Sequence, residues 1–356
     1  MQRWIWFLLL FIFVAPLYAS EGVVALFGLR DFFGPGKGAL LVYSEGSGEL
    51  GLYKVKKERL VLAAKTAAMS RVWQVTLYQK GKERGIVVAY GYGRRNIGAS
   101  LKVVLYKEDL SDAQVIYEVQ SPRSEASFLR QAGAGLMLCY FDSKYYTRLG
   151  VLSPTASDVW RFEERFRIRL GMHLDMDGER VLVGRPYADA EEGSGELRLF
   201  DGEKWRDLPS VRGISAAVFR RTPKGALDGI LIGDGWHQNY GVFAEPRLTW
   251  LKFDSARGQY AARLISLTTP QIRIEKIEQV VKEDKEIVLA KGDLFLEAYY
   301  PQADWRARRV YEKSSKNPLT HLDFAVLEME GEDAVMAVFD GDLRLIKVPL
   351  THSAQP

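Results

Sequence analysis

A single cysteine, Cys139, stands in 356 residues, so the chain can form no disulfide framework, no multi-cysteine zinc site and no CxxC redox pair. Histidine is almost as scarce: His173, His237, His321 and His352 show neither HxxxH nor HExxH spacing. No GxSxG elbow, phosphate-binding loop or dinucleotide fingerprint occurs. Charge of one sign is lacking too. Lys+Arg total 49 against 45 Asp+Glu, a well-mixed +4 that gives no basic footprint for nucleic acid. Beyond residue 20 no apolar run reaches the length of a membrane helix, and none has the period of an amphipathic one. What remains is a chain that is 47% hydrophobic, enough for a substantial core.

The first residues read as an address. Arg3 precedes an apolar run from Trp4 to Ala15, Pro16 breaks it, and Leu17-Tyr18-Ala19 ends in a small residue. That is the three-part pattern of a secretory leader spanning 1–19. The expectation is an exported chain, periplasmic or extracellular, with no membrane span once the leader is removed; retention as an anchor stays open. Cys139 sits in the apolar run Gly135–Phe141, where a buried thiol acts as a small hydrophobe.

The rest of the chain repeats. Gly48-Glu-Leu-Gly-Leu-Tyr53, Gly195-Glu-Leu-Arg-Leu-Phe200, Gly292-Asp-Leu-Phe-Leu-Glu297 and Gly341-Asp-Leu-Arg-Leu-Ile346 start near multiples of about 49 residues apart. Gly98–Tyr106, Tyr145–Leu152 and Arg247–Phe253 fill the gaps, making seven units. Each unit has a preceding apolar strand: Gly38–Tyr43, Gly85–Tyr90, Gly135–Tyr140, Glu179–Gly184, Asp228–Gly233, Lys285–Ala290 and Glu332–Ala337. These runs barely alternate, the mark of strands covered on both faces.

An earlier strand is expected at Val23–Leu29, Val72–Gln79, Ala126–Ala132, Arg167–Asp175, Ile214–Arg221, Ile272–Val280 and His321–Glu328. A more polar last strand is expected at Arg59–Thr66, Gln114–Ser121, Asp158–Phe166, Lys204–Val211, Gln259–Leu267 and Asp304–Glu312. Four strands per unit is the arithmetic of a β-propeller blade. The fold class is therefore all-β: one seven-bladed propeller over 20–356, four antiparallel strands per blade. The blades fall near 23–67, 70–121, 124–166, 167–211, 213–267, 271–313 and 319–350. The last has three strands or borrows a terminal segment. An outer-membrane barrel would instead alternate over about ten residues per strand.

Leu174-Asp-Met-Asp-Gly-Glu-Arg-Val-Leu-Val-Gly184, followed by Gly195–Phe200 and Trp205, resembles a degenerate blade of the FG-GAP/VCBS (integrin-alpha-N-like) propellers, and Leu227–Gly233 is a weaker echo. That resemblance implies a calcium loop, here reduced to Asp175, Asp177 and Glu179, with the cation Arg180 where the last carboxylate should fall. Calcium needs six to eight oxygens, so no metal and no cofactor is expected.

Chemistry is not nominated by any residue pair, and a binding or scaffold role is the reading. The informative asymmetry lies between second and third strands, where blades two to five carry the longer loops: Gly91–Gly98, Asp142–Gly150, Arg185–Gly193 and Asp234–Gly241. Their Tyr92, Arg94, Arg95, Tyr145, Tyr146, Arg185, Tyr187, Trp236, His237 and Tyr240 are the residue types that dominate interfaces. The expected partner is a protein or glycan of the cell envelope. The alternative is a periplasmic carbohydrate-active hydrolase or lyase with its site at the channel mouth.

Overall fold

The computed structural model describes residues 24–81, 83–91, 101–119, 125–142, 146–157, 159–169, 172–185, 194–209, 211–212, 214–234, 236–237, 241–242, 248–254, 257–265, 274–314 and 321–352. The expected leader, 1–19, lies outside them. Seven antiparallel sheets make a seven-bladed β-propeller. Blade 1 runs, from inner to outer strand, Val24–Leu29, Ala39–Ser44, Glu49–Lys56 and Arg59–Ala67; blade 2 runs Arg71–Lys80, Glu83–Gly91, Leu101–Lys107 and Gln114–Val119. Blade 3 is Glu125–Ala132, Gly135–Phe141, Tyr146–Pro154 and Trp160–Arg169; blade 4 is Met172–Asp177, Arg180–Arg185, Ser194–Phe200 and Trp205–Asp207. Blade 5 is Ile214–Arg221, Leu227–Asp234, Leu248–Asp254 and Gln259–Ile265, and blade 6 is Lys276–Lys282, Lys285–Lys291, Phe295–Tyr300 and Arg306–Glu312. Blade 7 has three strands, Asp323–Glu330, Asp333–Phe339 and Leu343–Pro349. The one helical element among the described residues is a single turn, Pro301–Ala303.

Two expected strands differ from what forms. Residues 167–169 belong to the outer strand of blade 3, because they stay paired with Tyr146–Arg148 past a bulge at Leu149/Gly150. The inner strand of blade 4 starts only at Met172. The expected strand Lys204–Val211 stops at Asp207. Pro209 has no N–H to continue the ladder, and Val211-Arg212 pairs instead with Ser194-Gly195.

The unalternating apolar runs are explained by their neighbours. In Ala39–Ser44 every residue is buried. Ala39, Leu41 and Tyr43 enter the core shared with blade 2, beside Ile86, Val88 and Tyr90. Leu40 and Val42 point the other way, into the core shared with blade 7, beside Ala325, Leu327 and Ala337. A strand whose two faces each meet a sheet reads as continuously apolar. Outer strands lack the second neighbour, so Arg59–Ala67 is mostly exposed.

That second cluster is also the seam that closes the ring. Across it Leu26 N donates to Asp323 Oδ2 at 2.9 Å and Gly38 N to Glu328 Oε2 at 3.3 Å. Blade 7's inner strand passes so close that a Cβ on Gly38 would sit 1.9 Å from the Leu327 carbonyl oxygen, and one on Gly28 2.2 Å from that of Val326. Elsewhere blades are stapled by side chains. The Gln131 amide takes Gln79 N at 2.9 Å and gives to Gln79 O at 2.7 Å, copying a strand pairing; Gln279 does the same to Arg221. Between blades 5 and 6, buried Arg220 grips fully buried Glu286 through two bonds, 2.9 and 2.7 Å, and also pairs with Asp228. Its guanidinium lies 4.7 Å from the Trp250 ring and 5.2 Å from the Trp305 ring.

Gly38→Ala forces the seam apart and lowers unfolding free energy by about 1–3 kcal/mol in urea titration. Arg220→Ala strands a buried carboxylate and costs about 3–5 kcal/mol. Loss of the exposed pair Arg344–Asp342 by Arg344→Ala stays within about 0.5 kcal/mol.

Candidate functional site

Strand directions alternate within each blade, so the second-to-third connections lie on the face where the inner strands begin. On that face blades 1, 6 and 7 connect through 45–48, 292–294 and 340–342. Blades 2, 4 and 5 use the longer 92–100, 186–193 and 235–247, the last carrying a small hairpin, Trp236–His237 against Gly241–Val242. Blade 3 departs from expectation. Its connection is only 142–145, because Tyr146–Pro154 is strand. Buried Asp142 fixes that turn, accepting from Tyr146 N at 3.1 Å and from Arg148 Nε at 2.8 Å.

The proposed contact residues divide accordingly. Tyr92, Arg94, Arg95, Tyr145, Tyr187 and Tyr240 lie outside the described residues. Arg185 closes the second strand of blade 4, opposite Glu196, and Trp236 and His237 form one strand of the small hairpin. Tyr146 is half-buried, with the Arg167 guanidinium 4.2 Å from its ring centre. It is engaged within the blade rather than offered from a loop.

Asp175 and Asp177 do not form a calcium loop. Asp175 Oδ2 accepts from Phe219 N of blade 5 at 2.7 Å, and Arg130 of blade 3 stands 3.7 Å from Oδ1. Asp177 pairs with Arg221 and, at 3.4 Å, with Arg180. Both carboxylates tie blades together, and no three acidic, histidine or cysteine side chains among the described residues could hold a metal.

All seven inner strands line a central channel of about 790 Å³. Its charges are largely paired. Lys276 Nζ reaches Asp323 at 3.2 Å, Lys291 pairs with Glu275, and Arg30 of blade 1 meets Glu278 of blade 6 at 2.5 Å. Arg71 lies over Trp73, 4.5 Å from its centroid. Burial pushes the Asp175 carboxyl upward, against the pull of Arg130 and the Phe219 N–H. These groups knit the ring around the channel.

A second concavity, about 810 Å³, opens on the opposite face between blades 4 and 5. The three-residue outer strand of blade 4 creates it, leaving Leu199, Leu208 and Pro209 facing Leu227, Phe253 and Tyr260 across a gap. Pro209 inside an expected strand is its one mark in the sequence; the aromatics and arginines that meet there come from strands far apart in the chain.

No family model and no curated protein matches the chain. Solved structures do. The N-terminal domain of Nup159 superimposes with a TM-score of 0.52 at 9% identity, over 93% of this chain and 92% of that one. Saccharomyces cerevisiae Sqt1 gives 0.51 at 10% identity, over 90% and 83%. A chain in the S. cerevisiae complex of Dbp5 with Nup159 and Gle1 gives 0.51 at 9%, over 86% of each. What is shared is the propeller fold.

Asp175→Asn keeps an acceptor for Phe219 N–H and removes a buried charge. A carboxyl raised in the native state binds its proton more tightly folded than unfolded, so its contribution to stability falls as pH rises from 3.8 through the folded value. The variant therefore gains on the wild type as pH goes from about 4 to 7, read as diverging urea midpoints. Parallel midpoints across that range would contradict this account of Asp175.

Proposed function

We propose that this chain is an exported, non-catalytic binding propeller that engages a protein partner of the cell envelope through the long connections of blades 2, 4 and 5. The observation that carries the reading is their placement: three long second-to-third connections join strand ends on one face, while those of blades 1, 3, 6 and 7 are short. Rigid strands that present variable loops on one rim are a common arrangement for recognition. Tyr92, Arg94, Arg95, Tyr187, Trp236, His237 and Tyr240 supply flat apolar surface and forked donors, the side chains that carry most interface energy. The structurally similar Nup159 occurs bound to other proteins, which supports a protein rather than a small-molecule partner. Export rests on the leader pattern of 1–19, and the FG-GAP/VCBS likeness on Leu174–Gly184 and Gly195–Phe200.

The test is capture from envelope extract by the mature protein beside a variant carrying Tyr92→Ala, Arg94→Ala, Tyr187→Ala and Trp236→Ala. A partner held by the wild type should bind the folded variant at least about thirtyfold more weakly, the effect of removing one strong anchor. Equal retention would move the interface to another surface.

A further inference from the structure

The cleft between blades 4 and 5 lies on the face opposite the proposed loops, and its side chains are poised rather than satisfied. Asp201 organises one wall. Its carboxylate accepts from Glu203 N at 3.1 Å, Lys204 N at 2.9 Å and Arg206 Nε at 2.5 Å, which holds it far below the usual carboxylate range. Arg206 is thereby fixed through Nε alone, and its two terminal nitrogens have no protein partner among the described residues. Arg180, on the floor, is half-exposed and makes only a long contact, 3.4 Å, to Asp177, a carboxylate already shared with Arg221. From blade 5 comes Tyr260, whose ring packs 5.2 Å from that of Phe253. Its hydroxyl has no hydrogen-bond partner among the described residues. Both arginines and Asp201 act electrostatically on that phenol: burial raises it, the arginines pull it down, and Asp201 raises it.

Two guanidinium groups and a phenol thus present open donors on one side of the cleft. Three carboxylates line the wall beside these donors: Asp207 is held by Arg198 at 2.8 Å, Asp201 is spent on Arg206 and the turn, and Glu203, which gives its backbone N–H to Asp201, has no carboxylate contact to either guanidinium among the described residues. Beside the donors lie Leu208, Pro209, Leu227 and Phe253, the last 41% exposed. Open forked donors fit a carboxylate, and the aliphatic wall fits an apolar side chain better than a sugar ring. A volume of about 810 Å³ is enough for a few residues of extended chain.

The geometry points to a peptide-binding cleft in which Arg180, Arg206 and Tyr260 take an acidic side chain of a partner protein and Phe253 with Leu208 and Leu227 take a neighbouring aromatic or aliphatic one. The surface is separate from the loops of blades 2, 4 and 5. A propeller that holds partners on both faces acts as an adaptor.

The experiment is fluorescence anisotropy with the labelled hexapeptide Glu-Phe-Glu-Leu-Glu-Phe and its counterpart with Gln in place of each Glu, using the mature protein. The acidic peptide should bind saturably, lose affinity as salt is raised, and bind at least tenfold more tightly than the Gln peptide. Arg206→Gln should weaken it about tenfold or more, and Tyr260→Phe about fivefold. The second variant keeps the ring and removes only an unpartnered hydroxyl, so it remains folded, as its thermal midpoint will report. The four-site loop variant should bind the hexapeptide as the wild type does, so the loop reading and the cleft reading can fail separately. Three outcomes overturn the proposal: no saturable binding at millimolar peptide, equal binding of both peptides, or unchanged affinity in folded Arg206→Gln and Tyr260→Phe proteins.

Discussion

Everything in this molecule depends on burying the second strand of each blade on both faces. A sheet whose central strand is apolar on both sides cannot stand alone in water, and stacking against two neighbours is its stable state. For a ring this demand has no free end. Blade 7 must meet blade 1, and it does so with a packed cluster, two backbone-to-carboxylate bonds and two glycines that admit carbonyls where a Cβ would collide.

The polar groups of the interior follow from the same demand. Inner strands crowd around the axis, so their charged side chains are forced into reach of adjacent blades and are used as ties. Gln131 and Gln279 imitate peptide groups, Asp175 and Asp323 accept amides from the next blade, and Arg220 is held between two carboxylates and two indoles. Groups that look like chemistry in a sequence, carboxylates beside arginines and tryptophans, are here the mortar between repeats. The gap left where blade 4 is cut short carries few such ties among the described residues.

Legibility tracked periodicity. The second strands were readable because two-sided burial writes itself as an unbroken apolar run, as in Gly135–Phe141 and Lys285–Lys291. Boundaries between blades were less so, since Arg167–Arg169 alternates like any exposed strand and only its pairing with Tyr146–Arg148 says which blade owns it. The connection of blade 3 was drawn too long for a similar reason: Asp142–Gly150 reads as loop, but Tyr146 N donates to Asp142 and Tyr146 already opens the third strand.

By itself the sequence determined the number of blades and the second strand of each, because both are a local pattern repeated along the chain. Only the tertiary structure decided which residues meet. Arg180, Arg206, Phe253 and Tyr260 share one cleft, Arg30 of blade 1 reaches Glu278 of blade 6, and Asp175 accepts an amide of blade 5. The physical reason is that in a closed ring the contacts between blades join residues about one repeat apart or, at the seam, almost a whole chain apart. No local pattern encodes those distances.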